Sequence, residues 1–202
     1  MEKVLLATNN AGKIKELSSL VHGYHFEFTT PAAEGVNIDV EETGRTFEEN
    51  AVLKAKAFAK ASNLPSLADD SGLEVDALNG DPGVFSARYA GEDASDKKKN
   101  ELLLSNIMNV PWEKRTARFR CVIAIAFPEG RLILCKGECP GFIALEPKGE
   151  NGFGYDPIFY LPEFDKTMAE ISSDEKNRIS HRARASHKAR EFLDDLLRMG
   201  GA

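Results

Sequence analysis

Residues 66–78 constrain this chain more than any other stretch, because they place two adjacent carboxylates inside a pattern of extended backbone. An apolar lead-in reaches Asp69 and Asp70, Ser71-Gly72 follows, and alternating apolar residues over 73–77 then predict a strand. We therefore expect the acids to lie at a break between two extended segments. Neighbouring side chains on extended backbone point to opposite faces, so one acid is expected to be the working group and the other its support. The alternative is an Asx-type turn, in which short polar side chains bond their own backbone.

Length and composition favour one globular domain over residues 1–202. The chain has 202 residues, is 42% hydrophobic and 29% charged, and contains no repeat or Ser/Gly linker. Its longest apolar run, Cys121 to Phe127, is far shorter than the roughly 20 residues that span a bilayer. The first seven residues are too short for a secretory signal, so we expect a cytoplasmic protein with no membrane partner. The net charge of -6 argues against a general nucleic-acid binder.

The three cysteines are Cys121, Cys135 and Cys139. Their number is odd, and no His or Cys follows at the spacing of a zinc site. We expect them to be reduced and mostly buried.

Residues 8–13 form a polar turn between a short apolar strand over 3–8 and a helix. The helix is predicted from the spacing of Ile14, Leu17, Leu20 and Val21. Free backbone N–H groups at a helix start, together with the charge of Lys13, are typical of a phosphate-binding turn. The glycines of a Walker loop are missing. An ordinary Asn-rich helix cap is equally compatible with these residues.

A second helix is predicted from Thr46 to about Ser62, since Thr46 and Glu49 have the spacing of a capping box. Its apolar stripe leaves Lys54 near the edge and Lys56 facing outward. Glu41 and Glu42 precede this helix, and such a pair is usually solvated. Carboxylates here could also supply Mg²⁺ with oxygen beside an aspartate, since the ion needs only one or two from the protein.

The middle of the chain is interpreted as scaffold. Ser95 or Asp96 is expected to cap a helix that buries Leu102, Leu103, Ile107 and Met108. Strands are predicted over 117–127 and 131–136, joined by a hairpin turn with glycine.

Two later segments carry further candidate functional groups. In residues 151–157 two glycines flank Phe153, which would leave its ring free to stack on a flat ligand, although a tight structural loop is as compatible. Residues 176–184 are basic and follow a capping box at Ser172 and Glu175. Read alone, this run could be a solvated cationic face or a nucleic-acid arm.

Together these segments supply the groups that a Mg²⁺-nucleoside triphosphate requires. They offer a phosphate-binding turn, carboxylates for a hard cation, an aromatic ring and cationic donors. No nucleophile with a paired base is apparent, so hydrolysis by an activated water fits better than acyl transfer.

The order of these segments resembles the motif series of the inosine/xanthosine triphosphate pyrophosphatase family. The matching stretches are ATNNAGK, EETGRTFEENAVLKA, SLADDSGLEVDALNGDPGVFSARYAGE, GFGYDPIF and EKNRISHRA. They run in the family's order from Ala7 to about Ala185. The resemblance implies an elongated, two-lobed α/β fold, with a central mixed β-sheet flanked by helices and an active site in the cleft between the lobes. It also implies a homodimer that needs Mg²⁺ and converts ITP, dITP or XTP and water to the nucleoside monophosphate and pyrophosphate.

The resemblance also implies roles for individual residues. Glu41 and Asp70 would bind the metal, and Asp70 would accept a proton from the attacking water, with Asp69 as the supporting acid. The implied substrate-binding residues are Thr8, Asn9, Asn10, Ala11, Gly12, Lys13, Lys54, Ser71, Phe153, Gly154, Tyr155, Asp156, Lys176, His181 and Arg182. A cationic donor such as Arg182 would favour bases that present an acceptor at O6 over adenine, which presents an amine.

Two other functions remain open at this stage. A nucleotide sensor of the same fold would bind ITP without turnover. A pyrophosphatase for modified pyrimidine nucleotides would prefer a different base.

Overall fold

The computed structural model describes residues 3–8, 10–20 and 26–200. Parts of two predictions, namely the binding residue Asn9 and helix position Val21, lie outside the described residues. The strands are β1 (Lys3–Leu6), β2 (Glu27–Thr29), β3 (Ser66–Val75), β4 (Thr116–Ala126), β5 (Leu132–Ile143), β6 (Phe159–Leu161) and β7 (Lys166–Thr167). The α-helices are α1 (Ala11–Leu20), α2 (Phe47–Ser62), α3 (Asp96–Asn106), α4 (Ser173–Ile179) and α5 (His181–Gly200).

Within the described ranges, the strands form one seven-stranded sheet in the order β2-β1-β3-β4-β5-β6-β7. β1 runs parallel to β2 and β3, whereas β6 runs antiparallel to β5 and β7. The sheet is therefore mixed and is flanked by helices, which confirms the predicted α/β class. The two-lobed shape with a cleft stays a prediction.

The chain forms two compact units. The first comprises Met1–Asp70, Cys121–Gly137 and Arg182–Ala202, and the second comprises Ser71–Arg120 and Glu138–His181. The first unit has its own apolar core, which includes Leu6, Leu17, Leu67, Ile123 and Leu193. The second has a separate core, which includes Leu73, Leu103, Ile143, Ile158 and Phe159. The single-domain prediction over residues 1–202 stays a prediction.

The break expected within residues 66–78 is wrong. β3 runs without interruption from Ser66 to Val75, so Asp69 and Asp70 lie in the middle of a strand, and Ala77 belongs to a short 3₁₀ helix, Asp76–Leu78. The Asx-turn alternative is therefore also wrong. The reason is tertiary: both acids find charged partners on neighbouring helices and need not bond their own backbone.

α2 begins as predicted. Thr46 Oγ1 accepts a hydrogen bond from the Glu49 backbone N at 3.2 Å. The Glu49 carboxylate accepts in turn from the Arg45 N at 2.6 Å, so the reciprocal bond forms one residue earlier than in a standard capping box. Lys54 is half-buried at the edge of the helix and Lys56 is exposed, as expected.

The predicted buried face of α3 is half right. Ser95 caps the helix, and Leu103 and Ile107 are fully buried. Leu102 is 37% exposed and Met108 is 70% exposed, against expectation. Leu103 and Ile107 are four residues apart and share one face, whereas Leu102 lies about 100° round the helix and Met108 follows its end.

The remaining predictions for the scaffold are mostly confirmed. The hairpin turn joins β4 and β5 as expected, although β5 extends to Ile143, beyond the predicted end at 136. The capping box at Ser172 and Glu175 opens α4. The three cysteines are free and buried.

Within the described ranges, no helix is long and apolar enough to cross a membrane.

We predict that Leu103→Ala lowers the free energy of unfolding by about 2–5 kcal/mol, because it leaves a cavity in the second core. Leu102→Ala, one position away on the exposed side, should change it by no more than about 0.5 kcal/mol. Urea denaturation followed by circular dichroism measures both. Equal losses for the two variants would contradict the assignment of the buried face.

Candidate active site

Asp69 in the first unit is enclosed by charged side chains. Lys13 Nζ lies 3.1 Å from Asp69 Oδ1, and Arg182 Nε lies 3.2 Å from Oδ2. The same guanidinium pairs with Glu16 through Nη1. The Asp69 carboxylate has no exposed surface, and the Arg182 side chain is almost fully buried. This network joins α1, β3 and the first turn of α5.

The charges around Asp69 fix its protonation state. Burial raises the pKa of the Asp69 carboxyl, but the nearby charges of Lys13, Arg182 and Lys54 outweigh burial and hold this pKa well below its usual range. Burial lowers the pKa of Arg182, and the carboxylates of Asp69 and Glu16 more than offset this and raise it. Asp69 is therefore a permanently charged, buried acid, which suits support rather than proton transfer.

Cys121 lies beside this network, with its Sγ 3.9 Å from Asp69 Oδ2. Burial, and then the charge of Asp69, raise the pKa of the Cys121 thiol well above its usual range. The thiol therefore stays protonated and is not an activated nucleophile.

Asp70 has a different set of partners. Lys54 Nζ lies 2.7 Å from Asp70 Oδ1 and also 2.7 Å from Glu42 Oε1. Asn50 Nδ2 donates to Asp70 Oδ2 at 3.4 Å. The Asn50 Oδ1 accepts from the Gly44 backbone N at 2.8 Å, which ties the segment carrying the acidic pair to α2.

The pKa of Asp70 moves in the opposite direction from that of Asp69. Burial raises the pKa of the Asp70 carboxyl by more than Lys54 and Lys13 lower it. Burial also lowers the pKa of Lys54, and the charges of Asp70, Asp69 and Glu42 outweigh this and raise it. A carboxylate with a raised pKa is a better proton acceptor, so the two neighbouring acids have environments suited to different tasks.

The start of α1 shows the cap that the sequence allowed. Asn10 Oδ1 accepts from the Lys13 backbone N at 3.0 Å, and Thr8 Oγ1 accepts from the Asn10 N at 3.2 Å. The ordinary-cap alternative is therefore confirmed as local geometry. Lys13 extends its ammonium to the Asp69 side chain and backbone oxygen. Binding of phosphate at this turn stays a prediction.

Asp70 and the acidic pair that precedes α2 supply carboxylate oxygens, the type of ligand that a hard cation takes. No group of three or more His, Cys, Asp or Glu side chains is placed to hold a metal in the described part of the chain. Mg²⁺ takes only one or two protein carboxylates when phosphates complete its shell. Asp70 and Glu42 already converge on the ammonium of Lys54. Glu41 is exposed and makes no ion pair within residues 26–200, so its carboxylate is available.

In the second unit, the loop over 151–157 is built around Asp156. Its Oδ2 accepts from the Phe153 backbone N at 2.9 Å and lies 2.6 Å from Lys176 Nζ. A Cβ on Gly152, whose φ is +76°, would collide with this carboxylate, so only glycine fits there. The Lys176 ammonium lies 4.9 Å from the centre of the Phe153 ring. Gly152 therefore allows Asp156 to approach the loop backbone, whereas Gly154 has open space at its Cβ position and a φ of +64°, a backbone conformation that favours glycine.

The two aromatic rings of this loop differ in burial. Tyr155 is buried and its hydroxyl donates to the Ser86 backbone O at 2.8 Å, so it belongs to the core. Phe153 is half-buried, as is Ser71 on β3. Stacking of the Phe153 ring on a flat ligand, and substrate contact by Ser71, stay predictions.

The basic run over 176–184 is not a uniformly solvated face. Lys176, His181 and Arg182 are 7%, 4% and 2% exposed, so this alternative is wrong for these three side chains. The His181 ring stacks on Phe119 with 4.7 Å between ring centres. Arg184 is exposed. The structure places the Arg182 guanidinium on two carboxylates, and its predicted contact with a base stays a prediction.

Comparison with known proteins identifies the family of this chain. The family model described as the Ham1 family matches residues 4–192. The chain belongs to the Ham1 family. A relative from Halalkalibacterium halodurans, named dITP/XTP pyrophosphatase, is 49% identical over 198 residues, which cover 96% of this chain and 100% of the relative. The family predicted from the motif series is thereby confirmed.

Solved structures of Ham1 proteins have the same fold. The Ham1 protein from Coxiella burnetii matches with a TM-score of 0.89 and 43% identity, covering 96% of this chain and 100% of that one. The Ham1 protein from Staphylococcus aureus matches with a TM-score of 0.87 and 47% identity, covering 96% of this chain and 99% of that one.

Sequence reasoning missed two residues that contact predicted site residues. Asn50 is fully buried against Asp70, and Glu16 pairs with Arg182. Asn50 carried a usable signal, since it is a polar residue four positions before Lys54, on the side of α2 that packs inward. Glu16 carried none, because its partner is distant in sequence.

We predict that Arg182→Met lowers the free energy of unfolding of this Ham1 chain by about 3–5 kcal/mol, because it removes a partner of the buried Asp69 charge. Arg184→Met, two positions further along α5 and exposed, serves as the matched control. Chemical denaturation at neutral pH measures both. Combining Arg182→Met with Asp69→Asn should cost less than the sum of the single changes, and strict additivity would contradict the pairing.

Proposed function

We propose that this Ham1 chain is a pyrophosphatase for non-standard purine nucleoside triphosphates. It would convert ITP, dITP or XTP and water to the monophosphate and pyrophosphate. The observation that carries the proposal is the buried Asp70 carboxylate, which Lys54 Nζ holds at 2.7 Å, on the strand position next to Asp69, whose carboxylate is paired with Lys13 and Arg182. The names of the relatives, dITP/XTP pyrophosphatase, support the reaction and the substrate class.

Asp70 is the proposed proton acceptor. As the oxygen of water forms its bond to the α-phosphorus, the bond from this phosphorus to the bridging oxygen breaks and pyrophosphate leaves. The proton of the attacking water passes to Asp70. Lys54 Nζ, at 2.7 Å from Asp70, restrains the carboxylate in one orientation. Orientation of a base toward its proton is a large part of what such a site supplies.

In the first unit, the proposed triphosphate contacts are Thr8 to Lys13 at the start of α1, together with Lys54. The positive end of a helix and two ammonium groups can meet the negative charge that grows on the phosphate oxygens. Lys13 and Lys54 each contact an acid of β3, so both ammonium groups are positioned before any substrate arrives. Asn9 belongs to the same proposed set.

We propose that Asp70 and Glu41 hold Mg²⁺. The available carboxylate of Glu41 supports this choice, because the carboxylate of Glu42 is bonded to Lys54. When bound, the ion would neutralise phosphate charge and favour departure of pyrophosphate. The donor set leaves most ligand positions to water and substrate, as is common for Mg²⁺.

In the second unit, the proposed nucleotide contacts lie on the loop Phe153 to Asp156 and on Ser71, Lys176 and His181. Hypoxanthine and xanthine carry an acceptor at O6, where adenine carries a donor, so cationic donors favour the former. Arg182 was the donor expected at O6. It stays in the proposed set: Nε and Nη1 of its guanidinium are held by Asp69 and Glu16, and a guanidinium has five N–H donors in all.

The proposed cellular role is the removal of deaminated purine nucleotides before they enter DNA or RNA. This role places the protein in the cytoplasm, and we propose that it acts as a homodimer. Nucleic acid is not a proposed partner, in keeping with the net charge of -6.

The test of the function is pyrophosphate release from ITP, dITP, XTP, GTP, ATP and a methylated UTP, in the presence of Mg²⁺. Wild-type protein should turn over the first three fastest. Asp70→Asn should lower kcat by about a hundredfold or more, because the amide cannot accept the proton. Circular dichroism should show the same fold for both proteins.

Three results would overturn parts of this proposal. Tight ITP binding without pyrophosphate release would identify a nucleotide sensor. Fastest turnover of the methylated UTP would replace the substrate class. Full activity of Asp70→Asn would remove Asp70 as the proton acceptor.

We predict that Glu41→Gln raises the Mg²⁺ concentration needed for half-maximal activity by about tenfold or more, because an amide is a poorer ligand for a hard cation. Glu42→Gln should change this concentration less, since Glu42 is bonded to Lys54. A Mg²⁺ titration after treatment with chelator measures both variants. The reverse ranking would move the metal ligand to Glu42.

A further inference from the structure

The first turns of α3 bind both backbone polar groups of Gly154. Asp96 Oδ2 accepts from the Gly154 N at 2.6 Å, and Asn100 Nδ2 donates to the Gly154 O at 3.1 Å. Asp96 and Asn100 are four residues apart, so their side chains extend from the same face of the helix. A single residue of the loop is therefore held at its donor and at its acceptor by one rigid element.

Asn100 has a side chain whose orientation is set by Gly154. It is 5% exposed, and its Oδ1 is buried without a hydrogen-bond partner among residues 26–200. A buried acceptor without a partner carries a cost of about 1–3 kcal/mol. The amide nevertheless points its NH₂ at Gly154, since turning it over would set two oxygens against each other. The Asn100 side chain therefore leaves its own oxygen without a hydrogen bond from the described residues, while its NH₂ group bonds the loop.

Asp96 and Asn100 together form a clamp on Gly154, and the bond to Asp96 is the stronger of the two. Burial raises the pKa of its carboxyl, but the bonds from Lys99 and from the Gly154 N–H outweigh this and lower the pKa. Lys99 Nζ lies 2.6 Å from Asp96 Oδ1, which leaves Oδ2 to the loop. A hydrogen bond to an ionised acceptor is about twice as strong as a neutral one.

Gly154 directly follows the half-buried ring of Phe153. The Phe153 N is bonded to Asp156, and Tyr155 on the other side is anchored through its hydroxyl to Ser86. The backbone on both sides of the ring is thus fixed, while the ring itself is only partly covered. The position of the ring therefore depends on these backbone bonds as well as on the Lys176 ammonium, which lies 4.9 Å from the ring centre.

We propose that Asp96 and Asn100 are positioning residues that orient the Phe153 ring for stacking on the nucleobase. The proposal rests on the proposed function for the role of the ring, and on the observed contacts for the clamp. Without the clamp, the loop must be ordered when the base binds, and that entropy is lost from the binding free energy. The groups proposed to act on the α-phosphorus belong to the first unit, so KM should rise while kcat is kept.

The matched pair for the test is Asn100→Leu and Asn106→Leu. Both positions lie on α3, but Asn106 is exposed and bonds the Tyr89 hydroxyl instead of the loop. Leucine at 100 removes a donor together with a buried oxygen that has no partner, so the melting temperature should change little. We expect Asn100→Leu to raise KM for ITP by roughly five- to tenfold, with kcat within a factor of two, which is the effect of about one hydrogen bond.

A fluorescent reporter follows the ring without any need for turnover. The sequence has one tryptophan, Trp112, so Trp112→Phe with Phe153→Trp places the only indole in the loop. Acrylamide should quench this indole more strongly when Asn100→Leu is added, and not when Asn106→Leu is added. The same emission gives the dissociation constant of ITP in chelator, without catalysis.

Asp96 supplies a second and independent test. Asp96→Ala removes the acceptor for the Gly154 N and should raise KM and quenching in the same way. Asp96→Asn keeps an acceptor oxygen and should recover most of both effects. If Asp96 acted only through the interaction of its negative charge with the helix dipole, asparagine would not restore KM or quenching.

The outcomes separate this proposal from the proposed function. Absence of nucleotide hydrolysis by wild-type protein would overturn the proposed function. Acrylamide quenching and ITP binding would still test the clamp in that case. Unchanged quenching and unchanged ITP affinity in both Asn100→Leu and Asp96→Ala would overturn the clamp. A fall in kcat and melting temperature with constant KM would also overturn it, since that pattern indicates a purely structural role.

Discussion

The burial of one charge, the carboxylate of Asp69, sets the arrangement of the first unit. A carboxylate without exposed surface is unstable in a protein unless cations compensate it. Lys13 and Arg182 do so from α1 and α5, and Glu16 balances the guanidinium from its other side. Each of these side chains is held in one place because the alternative is an uncompensated charge. The arrangement of the residues proposed to bind phosphate follows from that constraint.

Asp70 lies next to Asp69 on β3, and its side chain leaves the opposite face of the strand, where its surroundings set a different pKa. Two adjacent carboxylates on one face would repel each other. The pleat of β3 points them to opposite faces, so that Asp69 pairs with Lys13 of α1 and Asp70 with Lys54 of α2. Cations lower the pKa of one below its usual range, and burial raises that of the other above it. One short segment therefore holds a carboxylate that stays ionised beside one with a raised pKa, which suits the proton acceptor that we propose.

Local patterns in the sequence predicted the parts of the fold that local interactions determine. Thr46 opened α2 and Ser172 opened α4 because a cap needs only residues within one turn. The course of β3 through Asp69 could not be predicted, since the cations that make it possible lie 56 and 113 positions away. Met108 was misplaced because the end of α3, rather than its periodicity, decides where that side chain goes. The roles of Asn50 and Asn100 required the positions of Asp70 and Gly154 in space.

The thiol of Cys121, next to Asp69, lies in surroundings that make it unreactive. Peroxides and electrophiles attack the thiolate, and a buried thiol with a raised pKa exposes almost none of it at neutral pH. The charge of Asp69 thus adds to burial in raising the pKa of the Cys121 thiol and lowers its reactivity. Thiol-specific reagents should therefore leave this sulfur unmodified as long as the first unit stays folded.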